Sequence, residues 1–236
     1  MKSSFMRPAL LLALALGLSG CGGKATYPIN VNINKTQAEG LVYFPLVLKD
    51  TISGQTLTIN SSTATTVSFP NTLEYGTEYN IVAATPAPHT SCQILDGSDV
   101  AGRRASIEVQ LYCNVQRWNL TGKVTIGPGA DVTGLQITNG SDTPNPIDIE
   151  MPKTTPAVAP TYLVPNLKYG SNISLTIFRQ PSGTTPTVCN LVATPTTPVG
   201  TRLEPAPAAG EASKATSAAG TIGDGHAAID INCVKV

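Results

Sequence analysis

Five cysteines and two histidines are the residues of this 236-residue chain best suited to chemistry, and their spacing decides which chemistry is open to them. Cys92 and Cys113 are 21 residues apart and Cys189 and Cys233 are 44 apart, with no CxxC pair among them. With only two histidines in addition, the chain lacks the ligand spacing of a zinc site. His89, in Pro86-Ala87-Pro88-His89-Thr90, and His226, after Gly223-Asp224-Gly225, are the only side chains whose ordinary pKa lies near neutrality, and both read as exposed loop residues. The chain has no Gly-x-Ser-x-Gly, no HExxH and no phosphate-cradling loop. Its carboxylates are scattered, so no glycosidase pair can be nominated. Asp96-Gly97-Ser98-Asp99 and Asn139-Gly140-Ser141-Asp142 lack the alternating oxygens and bidentate Glu of a calcium loop and read as turns. Arg103 and Arg104 read as a solvated pair at a hairpin tip. Trp118, the single tryptophan, falls near a module boundary, where it either packs between modules or offers a stacking face for a sugar. The residues therefore predict no enzyme, no cofactor and no metal.

The elements that position these residues are duplicated. Leu73-Glu74-Tyr75-Gly76-Thr77-Glu78-Tyr79 returns 94 residues later as Leu167-Lys168-Tyr169-Gly170-Ser171-Asn172-Ile173. Each copy runs from a tight Tyr-Gly step into an alternating segment, the pattern of a turn feeding a half-buried strand. Before it, Ile29-Asn30-Val31-Asn32-Ile33-Asn34 alternates strictly and puts three aliphatic residues on one face. Residues 41–49 read as a strand with an edge or bulge at Pro45, and residues 56–59 as its hairpin partner. In the second copy residues 116–126, 135–137 and 147–149 repeat the order, at offsets of 89 and 90 that drift toward 94. Residues 92–95 are expected to pair with 107–113 across a tip at 96–104. The surplus between the second pair of cysteines lies in residues 194–220, rich in Pro, Ala, Thr and Ser, which read as a loosely held loop at a hairpin tip.

Charged residues make up 13 %, well below the roughly 25 % of ordinary globular chains. Lys2 and Arg7 account for two of the 15 basic residues, so 13 remain against 15 acidic ones beyond residue 20. Nothing in that balance attracts nucleic acid or an anionic surface. Lys2, Arg7 and the apolar run of residues 9–18 form a processing segment too short to span a bilayer comfortably. The Leu18-Ser19-Gly20-Cys21 that ends it resembles a bacterial lipobox. That resemblance implies a signal peptide over residues 1–20, lipidation of Cys21, and a membrane partner reached through it. Residues 21–28 are then a short tether, and Gly22 in place of Asp implies the outer membrane. In such an oxidising compartment the remaining four cysteines should pair, in one of three connectivities. Cys92 with Cys113 and Cys189 with Cys233 is the one that gives each pair the same place in its repeat.

The Leu-x-x-Gly-x-x-Tyr run ending at Tyr79 also resembles the corner before the sixth strand of fibronectin type III and related immunoglobulin-like sandwiches. The resemblance implies that the Tyr79 hydroxyl bonds backbone across the corner. Ile173 replaces that tyrosine in the second copy. A further resemblance, through Gln180-Pro181-Ser182-Gly183 leading to Cys189 and through Ile231-Asn232-Cys233, is to cysteine-paired tandem repeats of bacterial surface lipoproteins and adhesins. The first copy keeps Cys92 and Leu111-Tyr112-Cys113 but has Pro86-Ala87-Pro88 instead of the Gln-Pro motif. The reading is all-β: two tandem immunoglobulin-like Greek-key sandwiches over residues 29–114 and 115–236. Its function is that of a non-enzymatic, lipid-anchored interaction or spacer protein meeting another envelope or surface protein. Its oligomeric state is left open, and a carbohydrate- or cell-wall-binding lipoprotein is the alternative.

Overall fold

The computed structural model describes residues 24–61, 63–140, 143–150, 159–198, 200–206 and 212–236. The signal segment, Cys21 and residues 22–23 lie outside them, as do residues 141–142 and 151–158. The described residues contain strands and no helix. In the first half these are β1 (Thr26–Tyr27), β2 (Ile29–Asn34), β3 (Leu46–Asp50), β4 (Thr56–Ile59), β5 (Thr66–Ser68), β6 (Leu73–Glu74), β7 (Glu78–Thr85), β8 (Thr90–Leu95), β9 (Ser98–Val100) and β10 (Ile107–Val115). The second half holds β11 (Arg117–Ile126), β12 (Leu135–Asn139), β13 (Thr143–Ile149), β14 (Thr161–Lys168), β15 (Asn172–Arg179), β16 (Thr187–Ala193), β17 (Arg202–Glu204), β18 (Ser217–Thr221) and β19 (Ala227–Lys235). Contacts divide the chain into two compact units, the first closing with Cys92–Asn114 and the second comprising His89–Ser91 and Val115–Val236.

Each unit is built on two larger sheets, and the first adds the two-stranded pair β1-β6. In the first, one sheet has the order β5-β2-β10-β8 and the other β4-β3-β7-β9; in the second the orders are β14-β11-β19-β16 and β13-β12-β15-β18-β17. β2 runs parallel to β10 and β11 parallel to β19, the last strand of each unit: Ile29 lies opposite Ile107 and Val31 opposite Val109, as Leu120 lies opposite Ala227 and Val124 opposite Ile231. Alternation turns the apolar half of each strand inward. Ile29, Val31, Leu46, Leu48, Val109 and Leu111 are fully buried in the first core, and Leu120, Val124, Leu135, Ile137, Ile229 and Ile231 in the second.

The repeat holds at the level of single hydrogen bonds. Gly76 and Gly170 have φ of 82° and 76°, the left-handed turn that glycine adopts without a Cβ penalty. Gly76 N–H donates to Ala101 O and Gly170 N–H to Ile222 O; Tyr75 N–H donates to Ala25 O and Tyr169 N–H to Gln116 O. Ala101 and Ile222 are thus equivalent buried anchors of the motif, although their sequence neighbourhoods give no sign of it.

Three expectations from the sequence need correction. Residues 41–45 are outside the strand: β3 starts at Leu46, after a cis Phe44–Pro45 bond, because proline has no N–H to give a ladder. The segment between the first two cysteines is more than a hairpin tip, since β9 crosses to the opposite sheet and pairs with β7. The described part of residues 194–220 carries regular structure. Ser217–Thr221 pairs with β15, Arg202–Glu204 pairs with β18, and Ala215 is fully buried. Small Ala, Ser and Gly side chains that resemble a low-complexity loop in sequence are here the ones that fit an added strand.

Candidate functional site: the cysteine strands and their flanks

Both cysteine pairs form, Cys92 with Cys113 and Cys189 with Cys233, with Cα–Cα distances of 4.1 and 4.0 Å. Each joins neighbouring strands of one sheet, β8 to β10 and β16 to β19. Cys189 lies directly opposite Cys233 in the antiparallel register. Cys113, Cys189 and Cys233 are fully buried, and Cys92 is half-buried. A thiol held this way is a structural cross-link, since exchange needs access for an attacking thiolate.

The edge of β16 is covered by the chain itself. The Gln180 side chain spans Cys189 by accepting from its N–H at 2.9 Å and donating to its carbonyl at 2.9 Å, so one amide acts as a surrogate strand. Two residues on, Leu191 N–H donates to Ala215 O at 2.7 Å, and Ser213 Oγ donates to Leu191 O at 2.7 Å. Leu191 and Ala215 form an antiparallel bridge. The backbone groups that Cys189 and Leu191 would offer to another chain are thereby used up. The Gln-Pro-x-Gly motif was the sequence signal for half of this cover; nothing in the sequence marked Ser213 and Ala215.

Tyr79 is buried in the first core. Burial, then the charges of Asp99 and Asp96, raise its hydroxyl pKa above the ordinary value. No hydrogen bond to that hydroxyl is found among the described residues; Tyr79 lines a polar cleft of about 230 Å³ with Asp96, Asp99, Arg103, Arg104 and Glu108. Arg103 pairs with Asp99 at 3.1 Å, so it belongs to an ion pair on the cleft wall. The buried tyrosine bond belongs to Tyr162 of the second unit, which donates to Ile229 O. Tyr162 lies opposite Gly122, where a Cβ would come within 2.3 Å of its ring and 2.0 Å of Ile229 O. The first unit has Val31 opposite Val67 at the same place. A large ring over a glycine thus replaces a pair of medium side chains, and an isolated glycine within an alternating strand was the available sign.

Trp118 packs partly buried against the second core, its indole Nε1 is buried with no partner among the described residues, and its ring meets His226 edge-on at 5.5 Å. His226 also accepts the N–H of Asn119 through Nδ1 at 3.2 Å. His89, grouped with the second unit, stacks on Tyr169 at 3.6 Å and bonds Asp224 at 2.7 Å. Both histidines are therefore packed and bonded rather than simply solvated, because the turns that carry them fold back on aromatic rings. Among the described residues no group of three or more His, Cys, Asp or Glu side chains is placed to hold a metal ion.

Asp50 and Glu108 are among the carboxylates held by hydrogen bonds. Asp50, fully buried, accepts from Asn80 N–H at 2.9 Å, from Ser53 Oγ at 2.5 Å, and from the N–H groups of Ile52 and Ser53 at 3.2 Å. Burial raises its pKa, but these bonds outweigh it and leave the carboxyl below its ordinary value. Asn139 is its counterpart, accepting from Ser174 N–H at 2.8 Å. Its Nδ2 is buried with no partner among the described residues. Glu108 is held low by Ser106, Asn30 and Asn32, and the bonds from Asn30 and Asn32 tie β2 to β10.

No family model matches the chain, and no curated protein matches it in sequence. Among solved structures, a single-residue variant of the major pilin from Streptococcus pyogenes is 13 % identical and aligns over 91 % of this chain and 100 % of its own, with a TM-score of 0.33. The major pilin without that substitution gives 13 %, 91 % and 99 %, with a TM-score of 0.31. A bacterial adhesin from Mobiluncus mulieris, containing intramolecular disulfide, isopeptide and ester cross-links, is 8 % identical over 90 % of this chain and 99 % of its own, with a TM-score of 0.28. Similarity at this level carries no inference about what this chain binds.

Proposed function

We propose that this is a non-enzymatic, lipid-anchored protein of the bacterial cell envelope. In this reading two tandem immunoglobulin-like sandwiches, tethered through a lipidated Cys21 and sorted to the outer membrane, act as an interaction or spacer module toward another envelope or surface protein. The observation that carries it is the pair of disulfides at one equivalent place in the two units, three of their four cysteines fully buried. Cross-links of that kind stabilise small β domains and persist where thiols are oxidised. The lipobox-like Leu18-Ser19-Gly20-Cys21 supports the anchor. Catalysis does not enter the reading: the imidazole of the His89–Asp224 pair is stacked on Tyr169, and His226 meets Trp118 edge-on. The test is expression of the full chain and of Cys21→Ser in a Gram-negative host fed an alkyne-tagged palmitate. Labelling and membrane fractionation that both vanish in Cys21→Ser support the anchor; equal labelling of the two, or labelling of neither, refutes it. Protease added to intact cells then decides whether the units face the medium.

A further inference from the structure

The polar cleft of the first unit holds groups that the protein itself leaves unused. Residues of β9, in one sheet, and of the start of β10, in the other, line it together with Gly102, Arg103 and Arg104. Its walls are fixed by backbone bonds, from Ile81 N–H to Gly97 O at 2.7 Å, from Gly76 N–H to Ala101 O at 2.9 Å and from Ala101 N–H to Thr77 O at 2.8 Å. Tyr79, 8 % exposed, lines it from the core. The charges of Asp99, Asp96, Arg104 and Arg103 all act on its hydroxyl, so that hydroxyl points into the cleft those four side chains line. In the second copy the same place is taken by Ile173, 1 % exposed, so packing there needs no hydroxyl. A polar group taken from water with no partner in the protein costs stability, and Tyr79 carries one. Around it the charges are unevenly matched. Arg103 is taken by Asp99 at 3.1 Å. Glu108 is charged at neutral pH, but its bonds come from the neutral groups Ser106, Asn30 and Asn32, which leave that charge unbalanced. The side chains of Asp96 and Arg104 have no hydrogen-bond or ion-pair partner among the described residues.

We infer that this cleft binds a free dibasic amino acid of the lysine type, its carboxylate on Arg104 and the Tyr79 hydroxyl and its two ammonium groups toward Asp96 and Glu108. The match is one of sign and number. Once Asp99 and Arg103 are paired, two carboxylates, one guanidinium and one buried hydroxyl remain, and a ligand with two ammonium groups and one carboxylate neutralises them. A neutral sugar would leave all three charges unmatched as water is displaced, and a simple anion would meet two carboxylates for one guanidinium. Size agrees. At about 230 Å³ the cleft is smaller than the roughly 300 to 1,000 Å³ of sites for drug-sized ligands, and suits a single residue. Because β7, β9 and the turn after it are already tied together, the ligand would meet groups largely in place. The inference goes beyond the interaction-module reading and does not rest on it or on the lipid anchor.

L-Lysine, titrated at millimolar concentration into the isotope-labelled full chain, is the probe. The amide resonances of Ser98, Gly102 and Arg104 should shift saturably, while those of Gly170 and Ile222 in the second unit should not move. Lysinamide, which lacks the carboxylate, and acetate, which lacks the ammonium groups, should shift them far less. Tyr79→Phe keeps the ring and removes the hydroxyl, and Arg104→Gln removes the guanidinium from the surface. Each should weaken lysine binding by about tenfold or more, as expected when a hydrogen bond to a charged group is lost. Unchanged amide exchange at Val109 shows that the first unit of each variant is folded, and Arg104→Gln carries the test if Tyr79→Phe is not. Absence of a saturable shift with lysine, equal shifts with lysinamide or acetate, or unchanged affinity in the folded variants would overturn the assignment. So would equal binding of Nα-acetyllysine, which would give the cleft to the C-terminal residue of a peptide instead of a free amino acid. Palmitate labelling at Cys21 is read separately, so failure of either result leaves the other standing.

Discussion

Replacing Asp50 tests whether a buried carboxylate organises the first unit. Its side chain joins the turn between β3 and β4 to the motif strand β7, through bonds to Ile52, Ser53 and Asn80. In Asp50→Ala the Asn80 N–H loses its acceptor inside the sheet, at a cost of about 1 to 3 kcal/mol, while the exposed turn groups of Ile52 and Ser53 recover part of theirs from water. The expected loss is about 2 to 4 kcal/mol, all in the first unit. D50N should be milder, at about 1 to 2 kcal/mol, because an amide oxygen can still take the Asn80 N–H as Asn139 takes that of Ser174. The pH dependence distinguishes a charged group from a mere spacer. The Asp50 pKa is lowered in the folded state, so its contribution is fully present above the unfolded value of about 3.9 and is lost as pH falls through the folded one. The stability gap between the parent protein and D50N should therefore be constant from pH 7 to 5 and shrink below pH 4. Amide exchange at Ile81 and Val109 reports the first unit, and fluorescence of Trp118 the second. Equal losses for Asp50→Ala and D50N, or a gap that does not narrow in acid, would refute the argument.

Gly122→Val should destabilise the second unit by about 3 kcal/mol or more through overpacking against the Tyr162 ring and Ile229 O. Adding Tyr162→Val should recover much of that loss in urea unfolding followed by Trp118, because Val31 opposite Val67 fills the same place in the first unit. Burial, and secondarily the charge of Asp230, push the Tyr162 hydroxyl far above the usual tyrosine range. Absorbance titration should therefore leave one of the seven tyrosines un-ionised until the second unit unfolds, and Tyr162→Phe should abolish that late step. Under mild reductant Cys92–Cys113 should open before Cys189–Cys233, as mass spectrometry of trapped thiols will show, because Cys92 is half-buried and Cys189 is shielded by Gln180. Gln180→Ala should narrow that difference, and unchanged relative rates would show that access is not what separates the two bridges.

The sequence by itself determined what repeats. Alternation in residues 29–34 placed Ile29, Val31 and Ile33 in a core, since side chains of a strand point to opposite faces in turn. The Leu-x-Tyr-Gly motif set the register between the copies, and with it the pairing of Cys92 with Cys113 and Cys189 with Cys233. Those are local or periodic signals, which a linear reading can hold. The tertiary structure alone decided which strands are neighbours and what covers their edges. The parallel pairing of β2 with β10 joins residues 78 apart, and no local preference encodes it. Asp50 and Asn139 read as turn residues because Asp and Asn favour turns; their burial follows from where β7 and β15 come to lie. Residues 213–220 read as loop because small residues have weak strand preference in isolation, yet packing against Leu191 and β15 holds them as strand and cover. Tyr79 and Tyr162 show the same division. The corner motif named the first, but a hydroxyl bonds only where a backbone carbonyl is within reach, and the structure puts that carbonyl, Ile229 O, beside the second.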